Sequence, residues 1–264
     1  MSDQTEVRAA DYGLPMYFDM QAKMGHTKHL GGTNATQKLA ELCKLEPGKT
    51  LLNVGSGSGI SAAYVAENFG CRVVGVDLLP GMIESAQRWA EAKGLTDQMA
   101  FRIGDAQDLP FEDDQFDALI CESVNAFVPD KEKAMHEYIR VVKPGGYIGF
   151  TEAIWGKVPS EEIVGIIGEA TGQQLHFPEV WETLFQNSGL VDLHNENHPV
   201  TMRGEARNQS GLVGFGDYMK ILGRFFRLLF SDRETRSLMK YMSSNPKQYT
   251  EYMGYGIYSG RKPE

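Results

Sequence analysis

The sequence predicts an α/β fold in which one mostly parallel, seven-stranded sheet is covered by helices on both faces. Short apolar runs of strand length alternate with segments of helical periodicity along most of the 264 residues. Parallel strands need long crossover connections, which are usually helices. A glycine-rich turn follows the first apolar run, and acidic residues follow several later ones. Both features fit such a sheet, because its ligands bind at the carboxyl ends of the strands.

The first half of the chain is expected to contain four strands and three helices. Thr33 or Asn34 can cap the first helix, and Gly70 ends the second. Pro80 starts the third helix, which Gly94 ends. The predicted helices span residues 33–43, 60–69 and 80–94, and the predicted strands span residues 51–54, 72–76, 99–103 and 117–122.

The second half continues the alternation. Asp130 caps a helix that ends before the Pro144-Gly145-Gly146 turn, and a later helix over residues 177–187 stops at Gly189. The remaining strands are predicted over residues 147–152, 190–200 and 252–258. Residues 203–247 contain an apolar helix with three basic residues. This helix has three possible roles: a core or dimer helix, a lid over a substrate mouth, or a helix at a membrane surface. We expect it to lie over the mouth.

The composition limits the classes of function. Hydrophobic residues make up 42% of the chain and charged residues 23%, as is usual for globular proteins. The net charge of −9 disfavours nucleic acid as a partner, and no apolar run is long enough to span a membrane. The polar start is unlike a secretory signal, and Cys43, Cys71 and Cys121 lack the spacing of a metal site or a disulfide framework. We therefore expect free thiols, a cytoplasmic location and no bound metal.

The most specific motif joins the first two strands. Residues 51–60 read LLNVGSGSGI, and the next apolar run ends in Asp77. The glycines allow a tight turn that approaches a ligand closely, and Asp77 can accept hydrogen bonds from both hydroxyls of a ribose. A dinucleotide site prefers Gly-x-Gly-x-x-Gly, whereas this turn is Gly-x-Gly-x-Gly and has Ile60 after Gly59. The spacing therefore disfavours a nicotinamide-dependent oxidoreductase, which remains an alternative.

Two further motifs follow in order: residues 104–111 (GDAQDLPF), with Asp114-x-Phe116-Asp117 leading into the fourth strand, and residues 142–146 (VKPGG). Together with the glycine turn and Asp77, these motifs resemble the class I S-adenosyl-L-methionine (SAM)-dependent methyltransferases. The resemblance is to their type 11 group, which includes ubiquinone and menaquinone methyltransferases, and it covers about residues 28–155. It implies a Rossmann-like fold with an N-terminal arm over residues 1–32. A catalytic domain would follow over 33–264, with helical insertions at about 154–176 and 203–247.

The resemblance also implies the cofactor residues. Glycines of the first turn would line the methionine portion of SAM, Asp77 the ribose, and the segment around Asp105 the adenine. One departure is Asn53, where the family usually has Asp or Glu, so the charge that attracts the ammonium of SAM is missing there. The full predicted set is Asn53, Gly55, Ser56, Gly57, Gly59, Asp77, Leu78, Met82, Asp105, Ala106, Gln107, Glu122 and Ser123.

The expected reaction is methyl transfer to a small-molecule acceptor by in-line displacement, for which the enzyme mainly aligns the two reactants. A base is needed only for a protonated nucleophile, and its candidates are His29, Glu152 and His176. The sequence does not decide which acceptor is used, whether C, N, O or S receives the methyl group, or whether the chain forms a homodimer. A SAM-binding module without catalysis is a further alternative.

Overall fold

The computed structural model describes residues 9–12, 17–201, 204, 213, 215–233, 235–236 and 251–264. Within them, seven strands form one sheet in the order β3-β2-β1-β4-β5-β7-β6. The strands are β1 Thr50–Val54, β2 Arg72–Asp77, β3 Met99–Ile103, β4 Phe116–Glu122, β5 Val142–Trp155, β6 Val191–Pro199 and β7 Met253–Arg261. β1 to β5 are parallel, and β7 is antiparallel to both of its neighbours. β6 therefore runs in the direction of β5, and the predicted mostly parallel sheet is confirmed.

Eight helices of at least eight residues lie in the described residues. They are α1 Tyr17–Met24, α2 Gly32–Leu42, α3 Ile60–Phe69, α4 Pro80–Lys93, α5 Lys131–Val141, α6 Glu161–Thr171, α7 Pro178–Asn187 and α8 Phe215–Ser231. Most predicted caps are present: Asp130 Oδ1 accepts from Lys133 N at 2.9 Å, and Gly70 and Gly94 end their helices at positive φ. The predicted cap of α2 at Thr33 or Asn34 is wrong, because the helix begins at Gly32 with Gly31 as its N-cap.

Two apolar layers hold the helices against the sheet. Alternate residues of β1 face opposite sides, so that Leu51 and Leu52 are both fully buried but belong to different layers. On one side, α7 packs Trp181 against Phe150 of β5, with their ring centroids 5.6 Å apart. The other layer joins α2, α3 and α4 to the sheet. These layers fix the strand ends, and with them the polar residues that follow each strand.

The predicted insertions have different structures. Residues 154–176 hold the end of β5, a loop and α6, which packs Ile163 and Ile167 against Trp155. The described part of residues 203–247 is mainly α8, and the rest lies outside the described residues. None of the described helices is both long and apolar enough to cross a membrane.

α8 does not add to the sheet but packs on the helices beside it. Ile221 lies in an apolar cluster with Ile60 of α3, and Asp217 forms an ion pair with Lys93 of α4 at 2.9 Å. At its other end, Asp232 Oδ2 lies 3.7 Å from Lys23 Nζ of α1. This helix therefore braces α1, which is part of the N-terminal arm, from outside.

Candidate active site

A cavity of about 620 Å³ lies at the carboxyl ends of β1, β2 and β4. Twelve of the thirteen predicted cofactor residues line it. Gly59, the remaining one, is the N-cap of α3, where a Cβ would lie 2.9 Å from Ala86 Cβ of α4. The close packing of α3 against α4 therefore explains why this residue is glycine, and Gly59 does not line the cavity.

The glycine turn brings the backbone against the cavity. Gly55 and Gly57 have φ values of 64° and 52°, which favour glycine. A Cβ on Gly55 would collide with Val124, and one on Gly57 would lie 2.6 Å from Thr27. The turn can therefore approach a ligand without side chains between them, and β4 and the arm close over it.

Asp77 ends β2 and fastens the same turn. Its Oδ2 accepts from Gly57 N at 2.8 Å, and its Oδ1 accepts from Leu79 N at 3.0 Å. Burial raises the pKa of Asp77 to about 6, although the hydrogen bonds from backbone N–H groups oppose this shift. Each carboxylate oxygen can accept a second hydrogen bond, so Asp77 can still bind a vicinal diol.

Asp105 and Gln107 form a second polar group on the cavity wall. Asp105 Oδ1 accepts from Gln107 N at 2.8 Å, and the Gln107 side chain accepts from Asp130 N at 3.1 Å. Beside them, Leu78, Met82 and Ala106 supply an apolar surface. The combination of apolar lining residues with a carboxylate suits a heteroaromatic ring that carries an amino group.

Ser123 follows β4 in a conformation that is uncommon for residues other than glycine, with φ at 58°. Its hydroxyl faces Leu30 N of the arm at 3.4 Å, and its own N–H donates to Thr151 O. This turn directs the residues after β4 toward the cavity.

The N-terminal arm also contributes residues to the cavity wall. Thr27 N donates to Ser58 Oγ at 3.0 Å and so ties the arm to the glycine turn. Phe18 of α1 contacts Phe127 edge to face, with centroids 4.9 Å apart. The lining residues outside the predicted cofactor set include Phe18, Gln21, Thr27, Lys28, Ser61, Phe127, Val128 and Pro129. None of the described residues of α8 lines the cavity, and the expected position of residues 203–247 over the mouth stays a prediction.

His29, the first candidate base, lines the cavity and is buried. Its Nδ1 lies 3.3 Å from Leu30 O and 3.5 Å from Glu122 Oε1. Its Nε2 lies 3.3 Å from both Thr36 Oγ1 and Ser61 Oγ. Because both ring nitrogens have protein neighbours, His29 is placed to orient other groups.

Glu152, the second candidate, lies outside the cavity lining and is fully buried. Its carboxylate accepts from Asn125 N at 2.7 Å, Asn125 Nδ2 at 2.9 Å, Val124 N at 3.2 Å and Ala126 N at 3.3 Å. Burial raises the pKa of Glu152 to about 7, against the effect of these hydrogen bonds. Glu152 therefore anchors the turn that carries Val124 and Phe127.

The third candidate, His176, also lies outside the lining. Its carbonyl accepts from Trp155 N at 3.0 Å, and its ring lies edge to face with Trp181 at 5.5 Å. Burial lowers its pKa. His176 is therefore placed in a packing position away from the cavity.

The cavity has buried polar atoms that the protein leaves unpartnered. Asn53 Oδ1, Ser56 Oγ and Glu122 Oε2 have no hydrogen-bond partner among the described residues. Unpartnered buried polar atoms are costly, so they indicate a polar ligand. A ligand with a diol, an amino-purine ring and an ammonium group would satisfy Asp77, the Asp105 wall and these acceptors. SAM has all three features, so the residues present fit it.

Known proteins are similar to this chain over the same region. The family described as Methyltransferase domain matches residues 52–150. An uncharacterized protein of Haemophilus influenzae is 37% identical over 186 residues, which are 69% of this chain and 74% of that protein. Methyltransferase GfsG of Streptomyces halstedii is 28% identical, with 64% of each chain covered. Phosphoethanolamine N-methyltransferase of Triticum aestivum is 31% identical over 63% of this chain, but only 33% of that enzyme is covered.

Solved structures show the same fold. Haemonchus contortus phosphoethanolamine N-methyltransferase 2 in complex with SAM has a TM-score of 0.71 at 20% identity, covering 99% of this chain and 59% of that one. A SAM-dependent methyltransferase from Geobacter sulfurreducens, in complex with S-adenosylhomocysteine, has a TM-score of 0.70 at 22% identity, with 94% and 98% covered. The order of motifs, the sheet order and these relatives agree, and the chain belongs to the class I SAM-dependent methyltransferases, with a type 11 methyltransferase domain.

Proposed function

We propose that this chain transfers the methyl group of SAM to a small-molecule acceptor by in-line displacement. The observation that carries the proposal is the single cavity that joins Asp77, the Asp105 wall and unpartnered acceptor atoms to an aromatic wall. Its volume of about 620 Å³ lies within the usual range for small-molecule sites. The chain spans between a third and two thirds of several named relatives, so their own substrates do not define its acceptor.

Different residues of the cavity would bind different parts of SAM. Asp77 would accept from the ribose hydroxyls, and the Asp105 carboxylate from the adenine amino group. Leu78 and Met82 would flank the adenine, and Ala106 and Gln107 would close its edge. The methionine portion would lie over Gly55 and Gly57, with its ammonium near the unpartnered atoms of Asn53 and Glu122.

SAM, when bound, supplies an electrophilic methyl group on a positively charged sulfur. The protein's task is then to hold the acceptor in line with that group and to exclude water. Phe18 and Phe127 contact each other in the cavity lining and would shield the reacting atoms from water. His29, Glu152 and His176 all lie where their side chains have structural contacts, so none of them is placed as a general base. Their locations therefore agree with catalysis by positioning.

The acidic charge and a cavity of small-molecule size support a small molecule as the acceptor rather than nucleic acid. A cytoplasmic location and a homodimer remain proposals. Light scattering of the purified protein would test the dimer.

The activity can be tested without knowing the acceptor. Purified protein is incubated with methyl-labelled SAM and a metabolite extract, and labelled products are identified by mass spectrometry. We expect at least one labelled small molecule and stoichiometric S-adenosylhomocysteine. SAM binding without any labelled product would support a non-catalytic module. Binding of NAD instead of SAM by calorimetry would contradict the proposal and support an oxidoreductase.

A further inference from the structure

Hydrogen-bond donors from two helices meet at the bend that follows α1. The chain turns there at Gly25, whose φ is 62°. A Cβ at this position would lie 3.1 Å from Arg224 Nη1 of α8 and 3.2 Å from Ser85 Oγ of α4. The missing side chain at Gly25 therefore lets a guanidinium and a hydroxyl approach the bend together.

Arg224 has no acidic partner at this bend. The structure gives it neither a hydrogen bond nor an ion pair to any described residue. The acid whose charge acts on it is Asp217, which is already engaged by Lys93 at 2.9 Å and by Lys220 at 3.0 Å. Partial burial lowers the pKa of Arg224, and the charge of Arg88 acts in the same direction. The guanidinium therefore lies where an additional negative charge would be stabilised.

His26, the next residue after Gly25, contributes a buried polar atom. Only 4% of the residue is exposed, and its Nδ1 has no hydrogen-bond partner in the described part of the chain. Burial lowers the pKa of His26 to about 4, and the charges of Lys28, His29 and Arg224 add to this effect. The imidazole is therefore neutral at neutral pH and can donate one hydrogen bond through Nδ1. A buried nitrogen of this kind is costly unless a ligand accepts from it.

The groups at the bend have the same chemistry, because each can donate a hydrogen bond and none of the nearby charges is negative and free. We call them the bend cluster, which consists of Gly25, His26, Ser85 and Arg224. Arg88, which follows Ser85 by three residues on α4, adds a second positive charge. A carboxylate or a phosphate has the opposite charge and several acceptor oxygens, and a guanidinium can bind either of them through two N–H groups.

The bend cluster is separate from the SAM cavity. None of its four residues lines the cavity, whereas Gln21 and Thr27, on either side of the bend, do. Thr27 also ties the arm to the glycine turn, because its N–H donates to Ser58 Oγ at 3.0 Å. A ligand at the bend would therefore join the arm to α4 and α8 and hold Thr27 against the glycine turn from behind.

We propose that the bend cluster binds a small oxyanion, of the carboxylate or the phosphate type, which holds the N-terminal arm against α4 and α8. The guanidinium of Arg224 supplies the charge, and Ser85 and His26 supply an O–H and an N–H donor. The two types of anion share this chemistry and differ in charge and in the number of acceptor oxygens. The site does not depend on the methyl transfer proposed above.

The first experiment measures anion binding to the full-length protein. Inorganic phosphate and acetate are titrated separately by calorimetry, in chloride buffer of constant ionic strength, with and without saturating SAM. At least one of them should bind at millimolar concentration, and saturating SAM should not displace it, because the site lies outside the cavity. Binding of phosphate alone would assign the site to phosphate groups, and binding of acetate alone would assign it to carboxylates.

Two variants of α8 test the residue that carries the charge. Arg224→Gln should weaken the binding of the anion at least about 10-fold, through the loss of charged hydrogen bonds. Arg227→Gln removes the same charge from an exposed position of the same helix and should bind the anion as wild type does. SAM affinity serves as the control for folding of both variants.

Amide hydrogen exchange tests whether the anion holds the arm. The N–H groups of His26 and Thr27 donate to Gln21 O at 3.2 Å and to Ser58 Oγ at 3.0 Å. The anion that binds should slow the exchange of these two amides several-fold in wild type but not in Arg224→Gln. Amides of β6, at the far edge of the sheet, should exchange as before.

The proposal is overturned if neither anion binds to wild type. Displacement of the anion by SAM would place it in the cavity and would have the same meaning. Equal weakening by Arg224→Gln and Arg227→Gln would also overturn it, because general positive charge would then be sufficient. An anion that binds without slowing the exchange of His26 and Thr27 would contradict the role in holding the arm.

If Arg224→Gln does not fold, Arg224→Lys and Ser85→Ala replace it. Arg224→Lys keeps the charge but loses the planar pair of donors, and Ser85→Ala removes the hydroxyl. Each should weaken binding of the anion several-fold, with SAM affinity retained. Wild-type affinity for the anion in both variants would overturn the proposal.

Discussion

Glu152→Gln should remove a pH dependence of stability that the buried carboxylate creates. Glu152 is fully buried, and burial raises its pKa from 4.5 to about 7. The folded protein therefore holds this proton more tightly than the unfolded chain. Unfolding releases the proton between these two pH values, so stability falls as the pH rises through that window. The charge of ionised Glu152 acts on four titratable neighbours, which are Lys131, Cys121, Tyr138 and Tyr258.

The size of the effect follows from the two pKa values. A separation from 4.5 to about 7 corresponds to a loss of about 3 kcal/mol of stability over that range. Glutamine has nearly the same shape as glutamate but cannot ionise, so the stability of the variant should lack this part of the pH dependence. Its overall stability should be lower, because its amide N–H₂ faces the N–H groups of residues 124–126.

The assay is urea unfolding of wild type and Glu152→Gln at pH 4.5 and pH 7.5. Between these values, wild type should lose about 3 kcal/mol more than the variant. Asp77 also has a raised pKa, but it is present in both proteins and cancels in the comparison. Glu91→Gln, at an exposed position of α4, should behave as wild type. Equal pH dependence in wild type and Glu152→Gln would refute the reasoning.

Three further predictions concern the cavity and its support. Asp77→Ala should weaken SAM binding by about 1.5–3 kcal/mol through the loss of charged hydrogen bonds, and unchanged affinity in the folded variant by calorimetry would contradict the ribose role. In wild type, SAM affinity should fall as the pH drops through about 6, where Asp77 takes up a proton, and a flat profile would contradict this. Replacing residues 205–245 by a glycine-serine turn should free α1 and slow methyl transfer, while most SAM affinity is kept; unchanged transfer would show that the brace by α8 has no function.

The cofactor edge of the sheet was predictable because strand ends are marked in the sequence. Asp77 and Glu122 each follow an apolar run, and parallel topology brings such ends to one edge. The glycine spacing identified the turn, although Gly59 packs between helices and does not face the cavity. Local pattern was sufficient where each residue's role depends on its own strand or turn.

The remaining walls depend on contacts between distant segments. Thr27 meets Ser58, and Phe18 meets Phe127, yet nothing in the local sequence links these pairs. The role of Glu152 was also not predictable, because its partners are backbone N–H groups of a turn that carries no motif. For α8, an apolar face indicated burial but did not indicate against which surface.

The place of β7 inside the sheet has a consequence for biosynthesis. β7 is made after all the other strands, but it lies between β5 and β6 and pairs with both. Until residues 253–261 have left the ribosome, β5 has an exposed, apolar edge, and β6 has no place in the sheet. The edge of β5 therefore stays unpaired, and open to aggregation, while more than fifty residues after β6 are translated.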